Sequence, residues 1–97
     1  METLNFEYRA KAPLARRAHV GVVGSGDLEV LIEPSEKMTA KVRVRTSVDG
    51  YARVWKSVLD RFFSNFEFAA RVEINDFGAT PGAVTLRLEQ AAEEVRS

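Results

Sequence analysis

The sequence has no cysteine and only one histidine among its 97 residues. The lack of cysteine excludes disulfide bonds and thiolate metal ligands. The single histidine, His19, has no second histidine or carboxylate at ligand spacing, so no metal site is expected. Basic and acidic residues number 14 each, and this balance argues against nucleic-acid binding, which depends on phosphate neutralisation. No apolar run approaches the roughly 18 residues of a membrane span, so we expect no membrane partner.

Length and composition favour a small folded protein. A chain of 97 residues of which 45% are hydrophobic predicts a single domain over residues 1–97. A domain of this size buries about 60–65% of its unfolded surface, which leaves room for one core and no deep private active site. The opening segment, METLNFEYRAKAPLARRAHV, has no signal-peptide core, and we therefore expect a cytoplasmic protein.

The first half of the chain has the patterns of β-strands. TLNFEY alternates apolar and polar residues with period two. The short β-branched runs AHVGVV and LEVLIE flank GSGD, which predicts a hairpin with the glycines at its tip. In MTAKVRVRT, three basic residues share one face of the predicted strand, namely Lys41, Arg43 and Arg45. A solvated sheet face is the simple interpretation, and a docking surface for an acidic partner is the alternative.

The period then changes to that of an amphipathic helix. In YARVWKSVLDRFFSNF the apolar residues follow i, i+3, i+4, i+7 spacing over four turns, at Tyr51, Val54, Trp55, Val58, Leu59, Phe62, Phe63 and Phe66. We expect Ser47 or Asp49 to cap the first turn. Lys56 and Asp60 should form an i, i+4 ion pair on the polar face.

The remaining chain predicts one more strand and a second helix. ARVEINDFG has strand character, whereas the last segment, PGAVTLRLEQAAEEVRS, fits either a strand or a helix. Thr80 before Pro81 favours the helix, because threonine caps and proline is well tolerated at the first helical position. We expect the order β-β-β-α-β-α in an α+β fold. This is a two-layer α/β sandwich with a small mixed sheet, both helices on one face and a parallel strand–helix–strand unit.

The stretch GVVGSGDLEVLIEP raises the question of what Ser25 does. The glycine spacing is not that of a dinucleotide-binding loop, and a strand rather than a helix follows. Three interpretations of Ser25 stay open on the residues alone: an ordinary turn residue, a nucleophile paired with His19, and a site of modification. A domain this small cannot enclose a catalytic serine in a deep pocket, which disfavours the interpretation of Ser25 as the nucleophile of a hydrolase. Gly24 and Gly26 leave the hydroxyl between them unshielded, as a modifying enzyme would require.

Separated stretches of the chain carry a resemblance to a known family. VGSGDLEVLIEP, with RTSVDG before the first helix and INDFGATPG near the end, resembles the acyl carrier (delta) subunit of bacterial biotin-independent malonate decarboxylase. The citrate lyase acyl carrier subunit is more distantly similar. The resemblance covers Leu4 to Glu94 and implies that Ser25 carries 2′-(5″-phosphoribosyl)-3′-dephospho-coenzyme A through a phosphodiester. It also implies that Gly24, Gly26 and Asp27 form the attachment loop. DFGATPG, Asp76 to Gly82, is expected to be a fixed turn that supports the Ser25 hairpin.

The resemblance implies a carrier rather than an enzyme. Acetyl and malonyl thioesters would be held on the CoA-derived group while malonate is decarboxylated to acetate and carbon dioxide. The implied partners are the acyl-carrier transferase and carboxy-lyase subunits of malonate decarboxylase, the prosthetic-group transferase and a malonyl transferase. The alternative is a non-catalytic interaction module in which Ser25 is an unmodified turn residue.

Overall fold

The computed structural model describes residues 1–96, which form six strands and two helices. The elements in chain order are β1 (Glu2–Arg9), β2 (Ala12–Pro13), β3 (Ala18–Gly21), β4 (Leu28–Pro34), β5 (Thr39–Thr46), α1 (Ala52–Phe63), β6 (Phe68–Asp76) and α2 (Pro81–Arg96). The strand order across the sheet is β1-β5-β6-β4-β3, and the short β2 pairs with β6. The expected α+β class is confirmed.

The sheet is mixed because its central pair is parallel. β5 and β6 run parallel on either side of α1, as the strand–helix–strand pattern predicted, and the other neighbours along the main path are antiparallel. The predicted hairpin is also present, since β3 and β4 pair antiparallel around the GSGD segment. On β5, buried and exposed residues alternate, so Lys41, Arg43 and Arg45 lie on the face away from the core.

The expected order β-β-β-α-β-α contains too few strands. Five strands precede α1 in the structure rather than three. The two arms of the hairpin are separate strands, and β2 is a two-residue pairing at Pro13 that is too short to show any periodicity. A proline within so short a segment also suggests a loop rather than a strand.

Helix α1 is shorter than the apolar pattern predicted and begins without a side-chain cap. Neither Ser47 nor Asp49 caps it; the N-cap position is Tyr51, which makes no capping side-chain hydrogen bond. Tyr51 and Val54 are 51% and 40% exposed, so the first turn is not part of the core. The predicted ion pair is confirmed, with Lys56 Nζ 2.8 Å from Asp60 Oδ2.

The ambiguous C-terminal segment is a helix. Pro81 is its first residue, and the Ala83 N–H donates to Thr80 Oγ1 at 3.1 Å, as the Thr-Pro pair predicted. One side of α2 is buried through Val84, Leu88, Ala91, Ala92 and Val95. In the part of the chain that the structure describes, no helix combines the length and the apolar character that a membrane crossing requires.

An aromatic cluster joins α1 to the sheet. The rings of Phe62 and Phe66 stack at 5.1 Å, and Phe63 packs edge-on against both. Tyr8 of β1 stacks on Phe63 at 4.5 Å, and its hydroxyl donates to Asp60 at 2.8 Å. Burial, and then the hydrogen bond to Asp60, raise the pKa of Tyr8 far above its usual range, so the phenol stays protonated.

The substitution Phe62→Ala tests the contribution of this cluster. Removing a buried ring leaves a cavity between helix and sheet, and the free energy of unfolding should fall by about 3–5 kcal/mol. Leu86→Ala is the control, because Leu86 is 57% exposed on α2, and it should change stability by no more than about 0.5 kcal/mol. Urea unfolding of both variants provides the measurement. Equal midpoints for the two variants would contradict the assigned packing.

Candidate functional site: the Ser25 loop

The Ser25 loop, residues 22–27, connects β3 to β4 and presents the serine to solvent. A tight turn is closed by the Asp27 N–H, which donates to the Gly24 carbonyl at 3.1 Å. Ser25 is exposed, and its hydroxyl makes no hydrogen bond with any residue in 1–96. The hydroxyl is therefore accessible to a second molecule and is not used to hold the fold.

The glycines on either side leave the serine without neighbouring bulk. Gly26 has a φ of +77°, a conformation that residues with a Cβ atom rarely adopt. A Cβ atom built at Gly26 would meet nothing within 4 Å, and one at Gly24 would touch only a Val22 methyl at 3.9 Å. The backbone conformation thus requires glycine at position 26, while the open space around both positions leaves the hydroxyl approachable from several sides.

The segment after β6 supports the loop from below, as the DFGATPG motif predicted. The Gly26 N–H donates to the Phe77 carbonyl at 2.7 Å, and the Phe77 N–H donates to the Asp27 carbonyl at 2.9 Å. Two backbone hydrogen bonds therefore hold Gly26 and Asp27, the two residues that follow Ser25. Both hydrogen bonds join main-chain groups, so the shape of the loop does not depend on the serine side chain.

Asp76 fixes the supporting segment. Its carboxylate is 4% exposed and accepts hydrogen bonds from Thr46 Oγ1 at 2.8 Å and from the Ala79 N–H at 3.0 Å. Its backbone carbonyl accepts a further bond from the Ser47 N–H at 3.1 Å. Burial of a carboxylate is costly unless its oxygens are hydrogen-bonded. Asp76 thus organises the end of β6, from which Phe77 reaches the Ser25 loop, and forms no acid–base pair with Ser25.

An ion pair ties the loop to α2. Arg87 Nη2 lies 2.8 Å from Asp27 Oδ2, and Arg87 Nε donates to Asp27 Oδ1 at 3.2 Å. The same Oδ1 accepts from the Leu28 N–H at 2.7 Å. The hydrogen bonds from Arg87, and next the one from Leu28, lower the pKa of Asp27. Asp27 therefore holds the loop in place and is not free to act as a general base.

His19 belongs to a neighbouring polar cluster rather than to the serine. Its Nε2 lies 2.8 Å from Glu29 Oε2, and Asn75 donates to the other oxygen of Glu29 at 2.8 Å. The hydrogen bond from Asn75 is the main cause, ahead of that from His19, of a lowered pKa at Glu29. Because the Ser25 hydroxyl has no hydrogen-bonded partner among the described residues, the structure has no Ser-His-Asp arrangement of the kind a hydrolase uses.

The structure brings the four predicted loop residues together and adds two partners. Gly24, Ser25, Gly26 and Asp27 occupy consecutive positions in one turn, as their sequence adjacency requires. Phe77 belongs to the DFGATPG segment that was expected to support the loop, whereas Arg87, which holds the loop from α2, was not indicated by the pattern. Arg87 lies 60 residues from Asp27 along the chain, and a single arginine on an amphipathic helix carries no signal of so distant a partner.

Known proteins of one family are similar to this chain over nearly its whole length. The family model described as malonate decarboxylase delta subunit (MdcD) matches residues 15–95. The malonate decarboxylase acyl carrier protein of Azotobacter vinelandii is 55% identical over 98% of this chain and 97% of its own length. The protein of that name from Pseudomonas syringae pv. syringae is 52% identical with the same coverage.

A solved structure has the same fold. It is a chain in the crystal structure of a Pseudomonas malonate decarboxylase hetero-tetramer in complex with malonate. It matches with a TM-score of 0.93 and 51% identity over 98% of this chain and 99% of that chain.

The Asp27–Arg87 pair predicts a pH-dependent contribution to stability. Because the pKa of Asp27 is lower in the folded state than in the unfolded chain, where it is about 3.9, ionised Asp27 stabilises the fold above that value. This contribution is lost as the pH falls through the folded pKa. Asp27→Asn should therefore lower the melting temperature at pH 7 and differ progressively less from the native protein below about pH 4.

Glu36→Gln is the matched control, since Glu36 is an exposed turn carboxylate. Thermal unfolding of both variants and the native protein from pH 7 to pH 3 gives the comparison. A deficit in the Asp27 variant that stays constant over this range would show that the ionised pair does not stabilise the loop.

Proposed function

The chain belongs to the malonate decarboxylase delta subunit family, and from this premise we propose that it is a non-catalytic acyl carrier whose Ser25 bears the prosthetic group. The group is 2′-(5″-phosphoribosyl)-3′-dephospho-coenzyme A, linked through a phosphodiester, and its terminal thiol supplies the point at which acyl groups are attached. The observation that carries the proposal is the exposed, unengaged Ser25 hydroxyl on a loop that main-chain bonds hold in place.

The loop has the properties that attachment requires. A modifying enzyme must reach the serine oxygen with a bulky phosphoribosyl precursor, and no side chain shields the hydroxyl at positions 24 or 26. The two backbone bonds to Phe77 keep the loop in one shape, so the transferase meets a preorganised substrate. Val22 and Val23, 58% and 60% exposed beside the serine, give such an enzyme apolar surface to contact.

The attachment of the prosthetic group to Ser25 is a transfer at phosphorus. The Ser25 oxygen attacks the phosphorus of a precursor activated as a polyphosphate ester. A new phosphorus–oxygen bond forms, the bond to the polyphosphate leaving group breaks, and the serine proton passes to a base. Asp27 is held in its ion pair with Arg87, so that base belongs to the prosthetic-group transferase.

The carrier's role in the reaction is to tether. A group on a flexible arm reaches the acyl-carrier transferase, the malonyl transferase and the carboxy-lyase subunits at a high effective concentration, on the order of millimolar for a short tether. This fits a domain in which Asp27, Glu29 and His19 are engaged in structural pairs. Electrophilic stabilisation during decarboxylation then belongs to the partner subunits. The cytoplasmic location expected from the sequence stays a prediction.

The substitution Ser25→Ala tests the site of attachment. An exposed turn hydroxyl without a hydrogen bond contributes no more than about 0.5 kcal/mol, so the variant should fold normally. Intact-mass analysis of protein from a host that carries the transferase should show one large adduct on the native chain and none on the variant. The reconstituted complex should lose all malonate turnover. An adduct or full turnover in the variant would refute the assignment, and an unmodified native chain would favour the interaction module.

The substitution Gly26→Val separates the needs of the turn from those of the transferase. Gly50→Val is a close control, because Gly26 and Gly50 have φ values of +77° and +86° and open space around a built Cβ. Both variants should lose about 1–2 kcal/mol of stability from the unfavourable backbone conformation. Only Gly26→Val, next to Ser25, should slow the modification, and we expect its rate to fall at least tenfold. Equal rates of prosthetic-group transfer to the two variants would mean that Gly26 serves the turn alone.

A further inference from the structure

A groove of about 340 Å³ opens between the first turns of α1 and α2. Its walls are mostly apolar and come from the loop after β5 and from both helices, through Val48, Tyr51, Val54, Trp55, Val58 and Val84. Thr46 and Asp76, which are hydrogen-bonded to each other at 2.8 Å, lie at its polar end. The volume is at the small end of the range for ligand pockets, about 300–1,000 Å³.

The groove explains the exposed apolar residues of α1. Val48, Tyr51 and Val54 are 37%, 51% and 40% exposed and line the same groove. The helical pattern places Tyr51 and Val54 on the apolar stripe of α1, yet their exposure shows that they contribute little to the core. A cluster of apolar side chains left accessible beside a pocket is typical of a binding site rather than of a solvated face.

The groove and the Ser25 loop lie at the same end of the sheet. Leu28, the residue that follows the loop, pairs with Asp76, and Asp76 pairs with Thr46 on the other side. Two strand spacings, about 10 Å, therefore separate the strand that leaves the loop from the polar end of the groove. Residues 76–78 are shared: Asp76 and Gly78 line the groove, and Phe77 between them bonds to the backbone of the Ser25 loop.

We propose that this groove binds the acyl-thioester end of the arm attached at Ser25 when the arm is not engaged by a partner subunit. The inference rests on the function proposed above. The arm contains a phosphoribosyl unit, a nucleotide and a pantetheine in series. We expect such an arm to reach the groove from Ser25, because the strand that leaves the loop lies only about 10 Å from the polar end of the groove. The ligand class is a short acyl group in thioester linkage, whose alkyl and sulfur atoms suit apolar walls.

A small tethered ligand fits the observations better than a segment of a partner protein does. The groove has the volume of a small-ligand pocket, about 340 Å³, and its lining residues Asp76 and Gly78 adjoin Phe77, which is hydrogen-bonded to the Ser25 loop. Tethering also removes the need for high affinity, because an effective concentration on the order of millimolar occupies about half of the sites when the dissociation constant is also millimolar.

Trp55 provides a direct probe, because it is the only tryptophan and lines the groove. The first experiment titrates S-acetylpantetheine into the Ser25→Ala protein, which carries no arm, and follows Trp55 emission. We expect a saturable change with a dissociation constant on the order of millimolar. Val54→Glu places a carboxylate in the groove wall and should weaken binding at least tenfold. Leu86→Glu, at a comparably exposed site outside the groove, should leave binding unchanged.

The second experiment uses the loaded protein. Acetylation of the arm's thiol should change Trp55 emission in the native carrier and in the Leu86 variant but not in the Val54 variant. No saturation with the free probe, or the same response in both glutamate variants, would overturn the groove assignment. A Trp55 response to added decarboxylase subunits but not to the probe would assign the groove to a partner protein and likewise overturn it. Loss of the Ser25 adduct is measured separately by mass, so failure of the attachment and failure of the groove are distinguishable.

Discussion

The buried carboxylate of Asp76 is the constraint on which the functional end of the molecule depends. It lies where β6 ends, between β4 and β5, and its oxygens accept bonds from Thr46 and from the Ala79 main chain. These bonds determine how the chain leaves the sheet, and hence where Phe77 meets the Ser25 loop and where α2 begins. A carboxylate in this position is stable only because each oxygen is hydrogen-bonded, so the turn from residue 76 to residue 80 has little freedom to change shape.

This arrangement explains how an exposed loop can be both accessible and ordered. Loops usually gain accessibility by giving up contacts, and they then move. Here the contacts are made by the main chain of Gly26 and Asp27 and by the Asp27 side chain, which are bonded to Phe77 and to Arg87. The Ser25 hydroxyl takes no part in them. A substituent on that oxygen therefore disturbs no bond that holds the loop, which is what a site of covalent attachment requires.

The sequence predicted the elements more reliably than their ends or their long-range partners. Hydrophobic period and turn chemistry located the hairpin, the parallel unit around α1 and the helix that begins at Pro81, because these signals are local. The helical period was followed from Tyr51 to Phe66, but α1 ends at Phe63, and Tyr51 and Val54 line a groove. Hydrophobic periodicity shows which residues of a helix are apolar, but it does not distinguish residues that pack in the core from residues that line a binding site. Strand β2 was missed because two residues carry no period.

The same distinction between local and long-range signals applies to the site. The glycines and the serine of GSGD are adjacent, so composition alone indicated an accessible turn, and the DFG segment was expected to support it. The Asp27–Arg87 pair joins a turn to a helix 60 residues later, and no spacing rule connects them. The main-chain bonds to Phe77 and the ion pair with Arg87 act on the two residues that follow Ser25 and leave its side chain free. The loop is thus specified by contacts that the sequence motif does not contain, and a chain with the motif but without those contacts would present its serine on a less ordered turn.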